Sequence, residues 1–219
     1  VTVTETVTNP DGTVTKTGYV TFPDGSVLEF SGFENIICFT PGTLIDTDRG
    51  PVAVEDLAVG GRVLTRDHGF RPLAWTGRKA LSAAALAVWP ELAPVRIAAG
   101  ALGAGVPARD LVVSPGHRML VAGARAEGLF GVGLPGITRD AAAGVEYLHV
   151  MCAGHEVIRA EGAWTESFQP SAPVLDGLAA ATRAELLRLF PELATAARQG
   201  RFAAARPVLS PAEARLLVA

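Results

Sequence analysis

Valine and threonine alternate with a period of two at the start of the chain, over Val1–Thr8. Two turn sequences, Asn9-Pro10-Asp11-Gly12 and Pro23-Asp24-Gly25, divide the strand-forming residues that follow. This pattern predicts strand, turn, strand, turn, strand. We therefore expect an N-terminal β-hairpin segment over residues 1–37.

Short apolar runs, separated by Gly, Pro and Asp, follow between Cys38 and Glu166. Such short strands at close spacing indicate an all-β domain with curled sheets, over residues 38–168. A short helix is expected at Ser82–Val88, ahead of Pro90. The runs predicted as strands are Val52–Val54, Arg62–Thr65, Phe70–Trp75, Leu111–Val113, Met119–Val121, Glu146–Met151 and Glu156–Ala160.

The spacing of apolar residues changes from strand to helix after Pro170. Leu175–Leu193 has apolar residues at helical intervals. Pro211–Val218 is predicted as a second helix, because Ser210 precedes it as an N-cap and Glu213 supplies the acid of a capping box. We expect a small helical extension over residues 169–219, packed on the β body.

Composition and charge narrow the classes of function. The chain has 219 residues and a formal net charge of −3, so neither nucleic acid nor an anionic membrane is expected as a partner. No window approaches the roughly 18 unbroken apolar residues of a membrane span. The alternating start does not resemble a secretion signal. The absence of an initial Met suggests a piece of a longer protein.

The chain contains two cysteines, Cys38 and Cys152. Two are too few for a disulfide scaffold, and their spacing matches no zinc module, so neither a metal nor a cofactor is expected. We interpret Cys152 as a core residue. A resolving thiol and a disulfide partner of Cys38 remain the alternatives.

Four local patterns carry candidate chemistry and occur in a fixed order. The first, over residues 37–43, reads Ile-Cys-Phe-Thr-Pro-Gly-Thr, and the second is an apolar strand pair over residues 50–60. The third reads Val-Ser-Pro-Gly-His-Arg-Met over residues 113–119. The fourth begins Val-Glu-Tyr-Leu-His-Val at residue 145 and continues through His155 to Gly162.

Together these patterns resemble the Hedgehog/intein (Hint) family, over residues 38–166. Cys-Phe-Thr-Pro-Gly-Thr is similar to the family's opening block, and Ser114-Pro-Gly-His117 to its Thr-x-x-His block. Residues 145–162 resemble the closing strand pair of inteins, Val-Tyr-Asp-Leu-x-Val followed by His-Asn-Phe. The resemblance, strongest to bacterial Hint proteins with a helical extension, implies a mainly β, horseshoe-like fold.

The resemblance also implies self-processing at the Ile37–Cys38 peptide bond. Cys38 would attack the Ile37 carbonyl in an N-to-S acyl shift, because a thiol is the best side-chain nucleophile near neutral pH. His117 would protonate the leaving nitrogen, and the Ser114 hydroxyl would hold the scissile carbonyl or the developing oxyanion. His155 falls where inteins carry a second, assisting histidine. The reaction would be a single-turnover autoproteolysis.

Departures from the family leave the second step open. Inteins finish with an Asn that cyclises, whereas residues 162–167 contain none. Hedgehog domains use an Asp to activate a sterol, but Leu73–Arg78 contains no carboxylate. Tyr147 replaces the Asp of the intein closing block, and Gly61 stands where the family usually has Asp. Water, an external amine and an external thiol are all candidates for the second nucleophile.

The sequence is therefore compatible with three functions. In the first, the N-terminal segment is the substrate of the domain that follows it. In the second, the Hint fold is degenerate and serves as a structural or display module of a secreted protein. In the third, Cys38 and His117 form a cysteine hydrolase that acts on other proteins. His149 is interpreted as structural or surface-exposed, and a secreted, bacterial location is expected.

Overall fold

The computed structural model describes residues 2–8, 14–21, 27–31, 37–121, 124–126, 136–140, 143–171, 174–175, 178, 180–194 and 202–209. The chain divides into two compact units. One contains Val1–Ile36 and Pro170–Arg201, and the other contains Ile37–Gln169 and Phe202–Ala219. Ile37 and Cys38 therefore belong to the same unit.

The described residues are mainly β, as the sequence predicts, with two α-helices and three single-turn 3-10 helices. The strands are β1 (Thr2–Thr8), β2 (Val14–Thr21), β3 (Val27–Ser31), β4 (Leu44–Thr47), β5 (Gly50–Ala53), β6 (Arg62–Thr65), β7 (Gly69–Ser82), β8 (Val95–Ile97), β9 (Leu111–Val113), β10 (Met119–Val121), β11 (Ala124–Ala126), β12 (Ile137–Arg139), β13 (Gly144–Cys152), β14 (Val157–Ala160), β15 (Ala163–Glu166) and β16 (Val208–Leu209). The helices are α1 (Ala83–Val88), α2 (Ala180–Leu189) and the 3-10 turns Val54–Asp56, Pro90–Leu92 and Pro191–Ala194.

The first unit holds the predicted hairpin segment. β1 and β2 pair antiparallel, β2 and β3 pair antiparallel, and the sheet order is β1-β2-β3. The predicted helix at Leu175–Leu193 is observed in part, as α2 and the 3-10 turn that follows it. The predicted helix at Pro211–Val218 lies outside the described residues.

The second unit holds a long curled sheet and a small sheet. The long sheet has the order β13-β7-β6-β4-β14-β15-β10-β11-β16, with β5 paired to β4. The small sheet has the order β12-β8-β9. Phe39 forms single bridges to Val113 in β9 and to Leu148 in β13, so the segment that carries Cys38 runs between the two sheets.

Apolar side chains from both sheets form one core around this segment. Phe39, Ile45, Ile97, Leu111 and Met119 are among the buried residues of that core. β13 is buried on both faces, since every residue from Tyr147 to Cys152 is buried. Side chains on either face of β13 are therefore shielded from water.

The chain returns to the second unit after Arg201. Phe202 is buried, and its carbonyl accepts a hydrogen bond from Nε2 of Gln169. Arg206 pairs with Asp67, and β16 adds to β11 as a parallel strand. Residues 202–209 are thus part of the fold that surrounds Cys38.

None of the helices found among the described residues is long and apolar enough to cross a membrane.

Candidate active site

The backbone pairing of Phe39 fixes the position of Cys38. The Phe39 amide donates to the Leu148 carbonyl at 2.9 Å, and the Leu148 amide donates to the Phe39 carbonyl at 2.8 Å. In an antiparallel pair, the positions next to such a doubly bonded pair bring their side chains closest together. Cys38 therefore faces His149 across the two segments, and both side chains are buried.

His149 contacts both the nucleophile and the carbonyl of the predicted scissile bond. Its Nδ1 lies 3.1 Å from the Ile37 carbonyl oxygen and 3.1 Å from Sγ of Cys38, and its Nε2 lies 3.5 Å from the same sulfur. A carbonyl oxygen only accepts, so Nδ1 carries the proton in the contact with Ile37. Nε2 is then the nitrogen with a free lone pair for the thiol proton.

Aromatic side chains hold the His149 ring in place. Trp75 stacks on it, with ring centroids 5.8 Å apart, and Phe168 meets it edge-on at 4.8 Å. Gly77 is the cross-strand partner of His149, and a Cβ at Gly77 would overlap the Trp75 ring. Because Gly77 has no side chain, the Trp75 ring can lie over the backbone of Gly77 and pack against His149.

Ser114 lies on the amide side of the predicted scissile bond. The Cys38 amide donates to Oγ of Ser114 at 3.0 Å, and the Ser114 amide donates to the Cys38 carbonyl at 3.0 Å. The sequence suggested that this hydroxyl would hold the scissile carbonyl, whereas the observed contact of Ile37 O is with His149. Ser114 thus fixes the backbone of the nucleophile.

His117 is close to Cys38 and is oriented by Thr165. Nε2 of His117 lies 2.5 Å from Oγ1 of Thr165, and that hydroxyl donates its own hydrogen to the Arg118 carbonyl at 3.0 Å. Nε2 must therefore carry the ring proton. Nδ1 of His117 is buried and has no hydrogen-bond partner among the described residues. The Cys38 carbonyl interacts with the same ring and favours its protonated form.

Burial determines the charge states of these groups. It raises the pKa of Cys38 well above its ordinary value, although Lys79 opposes the shift. It lowers the pKa of His149 to about 4, although the Ile37 carbonyl opposes that shift. Burial likewise lowers the pKa of His117 to about 4, against the raising effects of Glu166 and the Cys38 carbonyl. Near neutral pH the site holds a protonated thiol and two neutral imidazoles.

His155 lies in a neighbouring polar cluster. The Ala205 amide donates to its Nδ1 at 3.2 Å, and its Nε2 lies 3.4 Å from the buried carboxylate of Glu166. That carboxylate also accepts from the Arg118 amide at 2.9 Å. Arg118 and Glu166 follow His117 and Thr165 directly, so this cluster supports the two segments that orient the His117 ring.

Both cysteines are free thiols in the structure. Cys152 pairs in register with Leu73 and is buried, and burial raises its pKa to about 12, with Glu156 raising it further. These surroundings match the interpretation of Cys152 as a core residue. Among the described residues, no group of three or more His, Cys, Asp or Glu side chains could hold a metal ion.

His149 and Thr165 were not among the site residues predicted from the sequence. His149 was interpreted as structural or surface-exposed, and a surface position is wrong because its side chain is buried. That side chain lies against Cys38. The available signal was the apolar run on both sides of His149, which is typical of a strand buried on both faces.

The chain is similar to several known proteins. Solved structures that this chain resembles include a gp41-1 intein (12% identity, 58% of this chain and 96% of the other, TM-score 0.41) and the MchDnaB-1 intein (13%, 59% and 99%, 0.41). Another is a bacterial intein-like domain from Clostridium thermocellum (14%, 61% and 99%, 0.41). No curated protein matches the chain. The sequence profile of a family described as Hint domain matches residues 37–172, and the chain therefore belongs to the Hint domain family.

Proposed function

We propose that this chain is a self-processing domain that breaks its own Ile37–Cys38 peptide bond through a thioester. One observation carries the proposal: polar side chains contact both sides of this single bond. His149 reaches the Ile37 carbonyl and the Cys38 sulfur, while Ser114 reaches the Cys38 amide. Buried polar groups aimed at both halves of one peptide bond are what an acyl shift at that bond needs.

The shift moves the Ile37 acyl group from nitrogen to sulfur. Sγ of Cys38 attacks the Ile37 carbonyl carbon while Nε2 of His149 takes the thiol proton. The Nδ1 proton of His149 stabilises the charge that develops on the carbonyl oxygen. The carbon–nitrogen bond then breaks, and His117 gives the nitrogen a proton that its Nδ1 has taken up from the solution, while His149 returns the thiol proton to the solution. The solution loses one proton and regains one, so the shift consumes no reagent.

The burial of the nucleophile supports a reaction within the chain. The side chains of Cys38, Ser114 and His117 have no exposed surface. A hydrolase of other proteins would need these groups in an open cleft, whereas a bond already in the chain needs no entry path. Residues 1–37 would be the substrate, and water, an external amine or an external thiol would open the thioester.

The proposal is tested by following the intact mass of the chain over time with and without hydroxylamine. We expect a break between Ile37 and Cys38, with hydroxamate on the N-terminal fragment, because hydroxylamine traps thioesters. Replacement Cys38→Ala should abolish the break. Cys152→Ala is the matched control, since it removes a buried thiol outside the site and should leave the break intact.

A full-length mass that stays unchanged under all these conditions, with Cys38 confirmed as a reduced thiol, would refute self-processing. It would favour the second account, a Hint fold retained as a structural or display module.

A further inference from the structure

Lys79 lies on the same face of the sheet as the candidate nucleophile. In the register of β7 and β13, Gly77 is opposite His149 and Lys79 is opposite Tyr147. Residues two apart in a strand share a face, and directly paired residues share it too. Lys79 is thus the diagonal neighbour of His149, a separation that long side chains bridge.

Electrostatic interactions connect the Lys79 ammonium to the site. Its charge favours the thiolate form of Cys38 and disfavours the charged form of the His149 ring. Lys79 is partly buried, so water screens these interactions less than at an exposed position.

The other polar groups that face Cys38, among the residues the structure describes, are neutral near pH 7. From β13 these are His149 and Tyr147, and burial raises the pKa of that tyrosine far above its ordinary value. From the segment after β9 they are Ser114 and His117, whose pKa is about 4. Lys79, from β7, is the cation that acts on the Cys38 thiolate.

Lysine is rare in this chain, in which nearly all the positively charged side chains are arginines. Of 19 Lys and Arg residues only Lys16 and Lys79 are lysines, so residues 37–219 contain a single lysine among many arginines. An arginine stays charged at every accessible pH, whereas a buried lysine can lose its charge.

We propose that the Lys79 ammonium stabilises the negative charge that forms on Sγ of Cys38 and on the Ile37 oxygen during the acyl shift. This inference rests on the proposed function and names a further residue for it. Such stabilisation matters here because the thiol starts fully buried and protonated, and a cation close to a buried thiol lowers the cost of creating an anion.

The stabilisation of the Cys38 thiolate by Lys79 depends on pH. Burial lowers the pKa of Lys79 to about 8, although the Cys38 thiolate opposes the shift. Below that pH the ammonium is present and favours the thiolate. As the pH rises through about 8, the ammonium loses its proton and no longer stabilises the thiolate.

The test measures hydroxylamine-dependent cleavage rates on both sides of pH 8 for the full chain, Lys79→Met and Lys79→Arg. Below about pH 8 we expect Lys79→Met to slow cleavage about tenfold, because it removes the charge that favours the Cys38 thiolate. Lys79→Arg should keep most of the rate, and its rate should go on rising above pH 8, where the rate of the native chain levels off.

Arg78→Met is the matched control, because it removes one positive charge from the opposite face of β7, where Arg78 pairs with Glu146. It should leave the rate unchanged. The Cys38 thiolate is also titrated directly, by its ultraviolet absorbance against Cys38→Ser as blank. Lys79→Arg should move this titration to lower pH than in the native chain, because the guanidinium is still charged at the high pH where the buried thiol titrates.

Cleavage by the native chain, together with unchanged rates in Lys79→Met and an unchanged thiolate titration in Lys79→Arg, would overturn the role of Lys79 and leave the proposed function intact. No cleavage by the native chain would instead refute the proposed function, while the titration would still report on Lys79. Recovery of a branched peptide that joins Ile37 to the Lys79 amine would also overturn the proposal, because Lys79 would then be an acyl acceptor.

Discussion

At the scale of single residues, the chemistry of the site depends on which ring nitrogens carry protons. The Ile37 carbonyl oxygen can only accept, so Nδ1 of His149 carries the proton. The Thr165 hydroxyl donates its hydrogen to the Arg118 carbonyl, so Nε2 of His117 must donate to that hydroxyl. The two histidines therefore present different faces to the scissile bond. His149 contacts the Ile37 carbonyl and the Cys38 thiol, while Nδ1 of His117 has no hydrogen-bond partner among the described residues.

Replacement of His149 by phenylalanine tests this division of roles. The Phe ring keeps the packing against Trp75 and Phe168 but has no nitrogen, so we expect thioester trapping by hydroxylamine to fall about 10²–10³-fold. The thermal unfolding temperature should change little. His68→Phe, at an exposed histidine that pairs with Glu156, should react like the native chain.

The pH dependence gives an independent check on His149. Since its pKa is about 4, its ring stays neutral at pH 6, and the rate should show no step near the ordinary histidine value. A step that vanishes in His149→Phe but lies near pH 6.5 would contradict the buried, neutral ring.

The residues that sequence motifs identify are those of the two local blocks. Cys38, Ser114 and His117 lie in short motifs with fixed spacing, so they could be predicted without a structure. His149 and Thr165 could not, because their roles arise from pairing between segments more than 45 residues apart.

At the scale of secondary structure, the lack of a side chain at Gly77 in β7 leaves room for the Trp75 ring, which stacks on His149. Gly77→Ala would push its Cβ into the Trp75 ring, and overpacking of this kind costs about 1–3 kcal/mol of unfolding free energy. Urea unfolding measures this cost. In a Trp75→Leu background the cost of Gly77→Ala should be much smaller, since the overlapping ring is gone.

Equal costs of Gly77→Ala in both backgrounds would show that Trp75 does not fold over β7. The same variants should be assayed for cleavage, because displacement of Trp75 removes the ring that stacks on His149.

Most strands were predicted at the right place, but β7 is much longer than expected. The sequence pattern predicts Phe70–Trp75, and the polar run Gly77-Arg78-Lys79 breaks the apolar pattern after it. The strand nevertheless continues to Ser82, because β13 pairs with it residue by residue from Gly144 onward. A polar run that continues a strand through long-range pairing gives no local signal, and this run also contains Lys79.

At the scale of the whole molecule, the order of the chain and the order in space differ. The sequence predicts three consecutive parts, with everything after residue 168 in a helical extension. The structure groups residues 202–209 with Ile37–Gln169 instead. Residues 202–209 are held there by contacts with residues distant in the sequence, such as that of Arg206 with Asp67. The local spacing of apolar residues cannot predict contacts of this kind.

Substitution of Phe202 tests whether this return is part of the main fold. Phe202→Ala should lower the free energy of unfolding by about 3–5 kcal/mol, because it removes a buried ring. Phe70→Ala makes the same chemical change at an exposed position of β7 and should cost far less. Chemical denaturation compares the two, and equal costs would argue against a docked C-terminal segment.

The double pairing of Phe39 has a consequence for the fate of the product. If the Ile37–Cys38 bond breaks, the new chain would start at Cys38, one residue before Phe39, which pairs with Val113 on one side and Leu148 on the other. Its first amino group would be enclosed in the interior, where an exopeptidase cannot reach it and where an amine remains uncharged more readily than in water. Until its acyl partner departs, that uncharged amine would stand beside the thioester and could close the original bond again.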